Sequence, residues 1–390
     1  MILLLDNYKQ SIPIMKSLYL QQIPYIVGSS INYDPICYSR YCQKTWKHPE
    51  FSDQKAFLHA LNQFLQEHQE VDAIFPIGEL GLKVLAENKE SLLRPVKLLM
   101  PSKENIMLCL DKKRCSQFIS ELDIPCPRSY LLHSKSELQS NADKNGYPII
   151  VKPNFTVNAL RTEKAIIINN RDEIAYVENE WDESAALLME DYICGDRISV
   201  NLVVEQGEVI TYLENQAQYT QELDGTGYTV RTISKQPTPI LQDYVARIVQ
   251  KMNYNGVMNM QFIYRYSNQC YYFMEINPRM PATTAFIYKM GIDVSAYTLH
   301  INAYKTYAAF KKQIINREGI LCNWFYGDLV AFTKHLFKGK LNFRRAVFSF
   351  LDLFKYVLVS DVDQLWSNTD PKPALLSFLR PFIIRVKKNR

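Results

Sequence analysis

A chain of 390 residues exceeds one ordinary domain, and its composition, 47% hydrophobic and 22% charged, supports a substantial core and excludes a disordered protein. A formal net charge of +5 with no basic-aromatic module gives no reason to expect a nucleic-acid partner. The eight cysteines are scattered and form no C-x-x-C pair, so reduced thiols of a cytoplasmic protein are expected rather than a zinc site or a disulfide framework.

The chain opens on MILLLD, an apolar run too short for a signal peptide and without a basic start. No stretch of about 18 apolar residues predicts a spanning helix. ILLLD reads as a buried strand, followed by a helical segment and a second strand in PYIVGSS. VDAIFPIGELG repeats the pattern, a strand leading through a turn into the helix-like LKVLAENKESL. Strands alternating with helices predict a doubly wound α/β unit up to about Pro101, with ligands favoured at the strands' carboxyl ends. Glu79 lies on such a loop, where a helix N-terminus also favours a carboxylate.

From NIMLCLDKKRCSQFISELDIPCP one helix is predicted, carrying Asp111, Lys112 and Lys113 and ending before Pro125 and Pro127. YPIIVKPN, KAIIINN and ALLMEDYICG read as strands, the last turning at Gly195. RISVNLVVEQGEVITYLE reads as two strands joined at Gln206-Gly207. A helix in TPILQDYVARIVQKMN precedes two more strands, GVMNMQFIYRY and CYYFMEINP, separated by Ser267-Asn268. This part is expected to be an α+β body of mostly antiparallel hairpins.

Strand alternation puts Glu275 and Asn277 on one face of MEINP, and Asn259 and Gln261 on one face of MNMQF. Paired as a hairpin, these strands bring Gln261, Glu275 and Asn277 together as oxygen ligands suited to Mg²⁺. Arg279, just beyond, has a fork that fits phosphate oxygens. Lys152 lies mid-strand in apolar surroundings, where an unpaired ammonium is costly and phosphate would serve as partner. Singly, each residue is more often solvated surface or a snorkelling lysine; their order and context together carry the functional reading. The six histidines lie beside no evident nucleophile.

The succession DKKR, GYPIIVKPNFT, LLMEDYICGD, NMQF and FMEINPRM resembles the ATP-grasp superfamily, and most closely the synthetase halves of carbamoyl-phosphate synthetase and related carboxylate–amine ligases. The likeness runs from about Asp72 to Ala282, with EINPR its most specific element. It implies a pre-ATP-grasp α/β domain over residues 1–104, a small ATP-grasp lobe over 105–186, a large lobe over 187–303 and a helical extension over 304–390. It implies that Lys112, Lys152 and Thr156 hold phosphates and that Glu190, Asp191 and Ile193 border adenine. Gln261, Glu275 and Asn277 are expected to hold Mg²⁺ (or Mn²⁺), and Arg279 to steady the transferred phosphoryl group. Arg231, in the polar and aromatic segment 214–233, is the candidate for gripping the substrate carboxylate, with a solvated strand arginine as the plain alternative.

The implied chemistry is ATP-dependent activation of a carboxylate as an acylphosphate and its capture by an amine, catalysed by positioning and charge neutralisation. Amides of sugar acids in surface-polysaccharide pathways and amino-acid ligation are candidate products, and a homodimer is an expected assembly. Bicarbonate as the acid and a non-catalytic ATP-binding role are alternatives. Two departures favour the latter. No glycine occurs between Gly146 and Gly195, so the phosphate loop relies on Thr156, Asn158 or Arg161. Arg197 stands where the family places a ribose-binding acid.

From Ala331 onward there are twelve Lys/Arg against four Asp/Glu. A helical cap packed on the ATP-binding body is the expectation for this segment, and contact with an anionic membrane surface the alternative.

Overall fold

The computed structural model describes residues 1–155, 160–161, 163–223 and 225–388. Five parallel strands, β1 (Ile2–Leu5), β2 (Tyr25–Ser29), β3 (Thr45–Lys47), β4 (Ala73–Pro76) and β5 (Lys97–Leu98), form the first sheet in the order β3-β2-β1-β4-β5. Helices α1 (Ser11–Leu20), α2 (Gln54–Glu67) and α3 (Glu79–Glu87) connect them. All four side chains of β1 are fully buried, as a central parallel strand requires. Alternation feeds two cores: Leu3 and Leu5 pack with Phe57, Leu61 and Leu85, whereas Ile2 and Leu4 join a cluster containing Val257, Phe286 and Tyr297. The second cluster is continuous with the body that follows, so the first sheet is fixed against it by apolar packing. Each such buried side chain contributes about 1.5–3 kcal/mol.

Where one helix was expected there are two, α4 (Lys103–Leu110) and α5 (Lys112–Ser120). The break is Asp111, whose extended backbone (φ −88°, ψ 96°) ends α4 while its carboxylate accepts from the Arg114 amide at 3.1 Å and caps α5. An antiparallel sheet follows, built from β6 (Ser129–Leu132), β7 (Ile149–Pro153), β8 (Ile166–Ile168) and β9 (Leu187–Asp191) in the order β6-β9-β7-β8. Helices α6 (Lys135–Asn145) and α7 (Ile174–Glu180) accompany it.

The third and largest sheet contains β10 (Asp196–Glu205), β11 (Glu208–Thr220), β12 (Thr229–Ser234), β13 (Gly256–Arg265) and β14 (Cys270–Asn277). Its apolar face packs α8 (Pro239–Lys251), α4 and α5 around Val200, Met260 and Phe262. Part of the other face is covered by α9 (Thr284–Lys289) and α10 (Val294–Ile301) through Val203, Leu213 and Val257. The segment expected to be a purely helical extension adds three strands to this sheet: β15 (Gln313–Ile314) beside β11, β16 (Leu321–Asn323) beside β12, and β17 (Val362–Asp363) beside β16. These strands are only two or three residues long, which leaves no periodicity to read. Helices α11 (Phe325–Phe337), α12 (Phe343–Val359) and α13 (Lys372–Lys388) complete the chain. Helix α11 buries Ala331 and His335, whereas α12 buries only Leu353.

Candidate active site

The β13–β14 hairpin places Gln261 opposite Glu275 and Asn259 opposite Asn277. Strand alternation therefore puts the expected ligand set on one face, at the edge of the large sheet. Glu275 Oε1 accepts from Asn277 Nδ2 at 2.9 Å, and Asn277 Oδ1 accepts from Arg279 at 3.1 Å. Burial pushes the Glu275 carboxyl up, but Lys112, the Asn277 amide, Lys152 and Arg279 outweigh it and hold the group below its ordinary value. Glu275 is thus kept ionised in part by the two lysines expected to hold phosphates.

Those lysines come from the smaller sheet and its preceding helix. Asn154, buried just after β7, donates to Asp111 at 3.1 Å and accepts from the Lys113 amide at 2.9 Å, tying the start of α5 to the end of β7. Lys112, at that helix start, donates to the Pro153 carbonyl at 3.0 Å. Burial lowers its ammonium pKa, with Lys152 adding to the effect and Glu275 opposing it. Lys152 Nζ is 2.6 Å from Glu190, with both side chains buried. Glu190 and Asp191 alternate on β9, and the structure does not bring them together. Asp191 accepts from Arg128 at 2.9 Å and Asn145 at 2.7 Å, and its amide donates to the Arg128 carbonyl at 3.1 Å, so its carboxylate is engaged within the protein. Ile193 is buried just beyond the strand. Thr156 and Asn158 lie outside the described residues; Arg161 is held through its amide by the Glu180 carbonyl.

The expectation for Arg231 is corrected. Its guanidinium is buried against Asp328, at 2.6 Å from Nη2 and 2.8 Å from Nε, between the rings of Tyr219 and Tyr356. It is neither solvated nor open to a substrate carboxylate, because its fork is filled from α11. Alternation also directs it away from Thr232, which shares the Gln261 face. Arg197, which the resemblance sets in place of a ribose-binding acid, is half-buried and donates to the Gly227 carbonyl and Thr229, tying the start of β10 to the β11–β12 connection. Its neighbour Asp196 accepts from Gln216 and Tyr266.

Two features escaped the sequence reading. First, an amide ladder crosses four strands beneath the site. Gln261 donates to Asn259 (3.5 Å), Asn259 to Asn201 (3.0 Å), Asn201 to Asn215 (2.7 Å) and Asn215 to Thr232 (2.6 Å). With its nitrogen so used, Gln261 keeps its oxygen free as a ligand among the described residues. Alternating Asn in NLVV and ENQAQ was the available signal, but it requires the register to be known.

Second, the first sheet contributes a polar corner. Asp6, at the end of β1, accepts from the Gly81 amide at 3.1 Å and caps α3, which has no cap of its own. A Cβ at Gly78 would lie 2.3 Å from the Asp6 carboxylate, so glycine is required there. Burial raises the Asp6 pKa, partly offset by amides of Gly81 and Leu80 and by Arg279. Glu79, in the first turn of α3, lies 3.8 Å from Arg279 Nε. Lys9 is buried 3.3 Å from the centre of the Trp324 ring and donates to Gln364. Burial pulls its ammonium down to about 7.

The sequence model of the family described as carbamoyl-phosphate synthase L chain, ATP binding domain, matches residues 111–307. Similar solved structures include the biotin carboxylase of Campylobacter jejuni as a complex with an ATP form (18% identity, TM-score 0.62, 79% of this chain on 72% of that one). The biotin carboxylase domain of the Hydrogenobacter thermophilus 2-oxoglutarate carboxylase, with MgADP, ADP and bicarbonate, gives 18% identity and a TM-score of 0.63 over 82% of this chain and 72% of that one. The L-amino acid ligase of Bacillus licheniformis gives 14% and 0.61 over 77% and 73%. At these identities the likeness shows a shared fold.

Proposed function

Because the chain belongs to the family of the carbamoyl-phosphate synthase L chain ATP-binding domain, within the ATP-grasp superfamily, we propose that it is an ATP-dependent, ADP-forming carboxylate–amine ligase. The observation that carries this reading is the polar set at the large sheet's edge, where Gln261 stands opposite Glu275 and Asn277 donates to Glu275 at 2.9 Å and accepts from Arg279 at 3.1 Å, with Lys112 and Lys152 near enough to lower the Glu275 pKa. A scaffold protein has no need of that arrangement, since cationic side chains around a half-buried carboxylate are suited to a nucleotide's phosphates and their divalent cation.

In this reading Lys112 and Lys152 neutralise the phosphates, while Glu190 and the backbone around Asp191 and Ile193 border adenine. Gln261, Glu275 and Asn277 would hold Mg²⁺ or Mn²⁺. The residues fit: one ionised carboxylate and two amide oxygens leave positions for phosphate and water. When bound, the cation supplies charge neutralisation at the transferred group. Arg279, already oriented by Asn277 and Glu79, steadies the phosphoryl oxygens as they pass to the acid. An oxygen of the carboxylate attacks the γ-phosphorus and ADP leaves; the amine nitrogen then attacks the acyl carbon, phosphate leaves, and the nitrogen's proton passes to solvent. Amino acids, sugar acids and bicarbonate are the acids to test, amino compounds the acceptors.

The test is ADP formation from Mg-ATP across pools of carboxylates, with and without amines, against Glu275→Ala. Pool-dependent ADP release that disappears in the variant supports a ligase. ATP binding with no stimulation by any pool favours a non-catalytic nucleotide-binding role.

A further inference from the structure

Helix α12 is built inside out. At 100° per residue, Val357, Phe350, Phe343, Phe354, Val347 and Leu358 follow one another round an arc of about 100°. All six are exposed, Phe343 by 86% and Leu358 by 84%. The side turned to the protein carries Ser349, Asp352 and Tyr356 beside the single buried Leu353. An apolar arc left in water while polar residues face inward is the reverse of an ordinary surface helix, and a contiguous patch of this kind marks an interaction surface. Exposed Leu351 extends the arc to Arg344 and Lys355, beyond which Phe348 and Val359 are exposed as well. Phe337, 88% exposed at the end of α11, lies just before Lys338 and Lys340 in the chain.

The charge distribution points to the occupant. Residues 331–390 carry twelve bases against four acids, while the whole chain is only +5, so the remainder of the chain is net negative. An exposed apolar helix face with arginine and lysine set along one side matches the acyl boundary and the headgroups of an anionic bilayer. A two-fold pairing of α12 with a second copy would bring the basic residues together. No described helix is long and apolar enough to cross a membrane, so α12 would lie on the surface rather than span it. We propose that α12 docks the protein on an acidic phospholipid surface, with its apolar arc in the interface and Arg344 and Lys355 among the headgroups. Tyr356, its ring 3.9 Å from the Arg231 guanidinium, fixes the docked helix to the large sheet.

The test is co-sedimentation of the full chain with phosphatidylcholine vesicles and with vesicles that also contain phosphatidylserine, alongside light scattering without lipid. Binding is expected on the acidic vesicles, falling with added salt. The exposed double variant Phe350→Glu/Phe354→Glu should lower it at least about tenfold, and Arg344→Glu/Lys355→Glu about tenfold. Unchanged urea-unfolding midpoints would show that both variants fold. Absence of binding to acidic vesicles, or binding indifferent to both variants, overturns the proposal. So does concentration-dependent self-association that the Phe variant abolishes without any lipid binding, which would make a second copy the occupant.

Discussion

Arg231 and Asp328, 97 residues apart in sequence, form a buried ion pair at 2.6 Å that joins β12 to α11. Their side chains are 8% and 3% exposed, so either charge left alone has no water to solvate it. Burial raises the Asp328 pKa, and Arg231 opposes that rise. Arg231→Ala or Asp328→Ala should each cost about 3–5 kcal/mol in urea unfolding, and Arg231→Met with Asp328→Leu should recover much of the loss. Nucleotide affinity of the folded variants should stay unchanged; a selective loss of acid-dependent turnover with full stability would restore Arg231 as a substrate ligand.

Lys152 has Glu190 as its carboxylate partner and, with Lys112, helps hold the Glu275 pKa down. If its ammonium meets the nucleotide through phosphate, Lys152→Met should weaken ATP about 10- to 100-fold, the worth of a charged hydrogen bond of about 1.5–3 kcal/mol. Adenosine affinity should change little. Calorimetric titration of both ligands separates the two roles, since an equal loss for both would place Lys152 at the adenine instead.

The amide ladder predicts a structural effect with a functional consequence. Asn201→Leu removes the link between Asn259 and Asn215 and leaves both amides short of a partner, at a cost of about 1–3 kcal/mol. Because Gln261 is oriented through Asn259, the variant should also raise the divalent-cation concentration needed for half-maximal ADP formation. An unchanged cation requirement would show that the ladder only holds the sheet together.

Lys9 gives a pH signature. Its folded pKa is about 7 against the ordinary 10.5, because burial disfavours the charged form. Between those values the unfolded chain binds a proton that the folded chain does not, so the unfolding free energy rises with pH across that window. Lys9→Met should flatten this part of the stability profile and raise stability at pH 7. Identical slopes in the two proteins would contradict the buried, proton-poor lysine.

The sequence was legible where local pattern and partner coincide. Alternation was enough to group Glu275 with Asn277, but Gln261 stands opposite Glu275 only because the ladder shifts between Gln261 and Phe262; the register counted from the Ser267-Asn268 turn would set Gln261 opposite Met274. Asp111 was misread as helix interior although Asp-Lys-Lys-Arg is a serviceable helix start. Arg231 could not be read, because its meaning lies in Asp328 and Tyr356, brought to it by strands of two or three residues. Nor could the orientation of α12, since amphipathic spacing says which residues share a face and not which face meets the protein. The first sheet's share in the corner at Arg279 was hidden for the same reason: Asp6 and Lys9 come from the loop between β1 and α1 and Glu79 from the start of α3, and only topology gathers them.

The most direct test of the proposed reaction follows oxygen. An acid that stimulates ADP release is supplied with ¹⁸O in its carboxylate, and the inorganic phosphate formed with amine present is examined by mass spectrometry. Attack of the carboxylate on the γ-phosphorus predicts one ¹⁸O atom in each phosphate released. Unlabelled phosphate at the same rate of ADP formation would mean that water is the acceptor and that no acylphosphate forms.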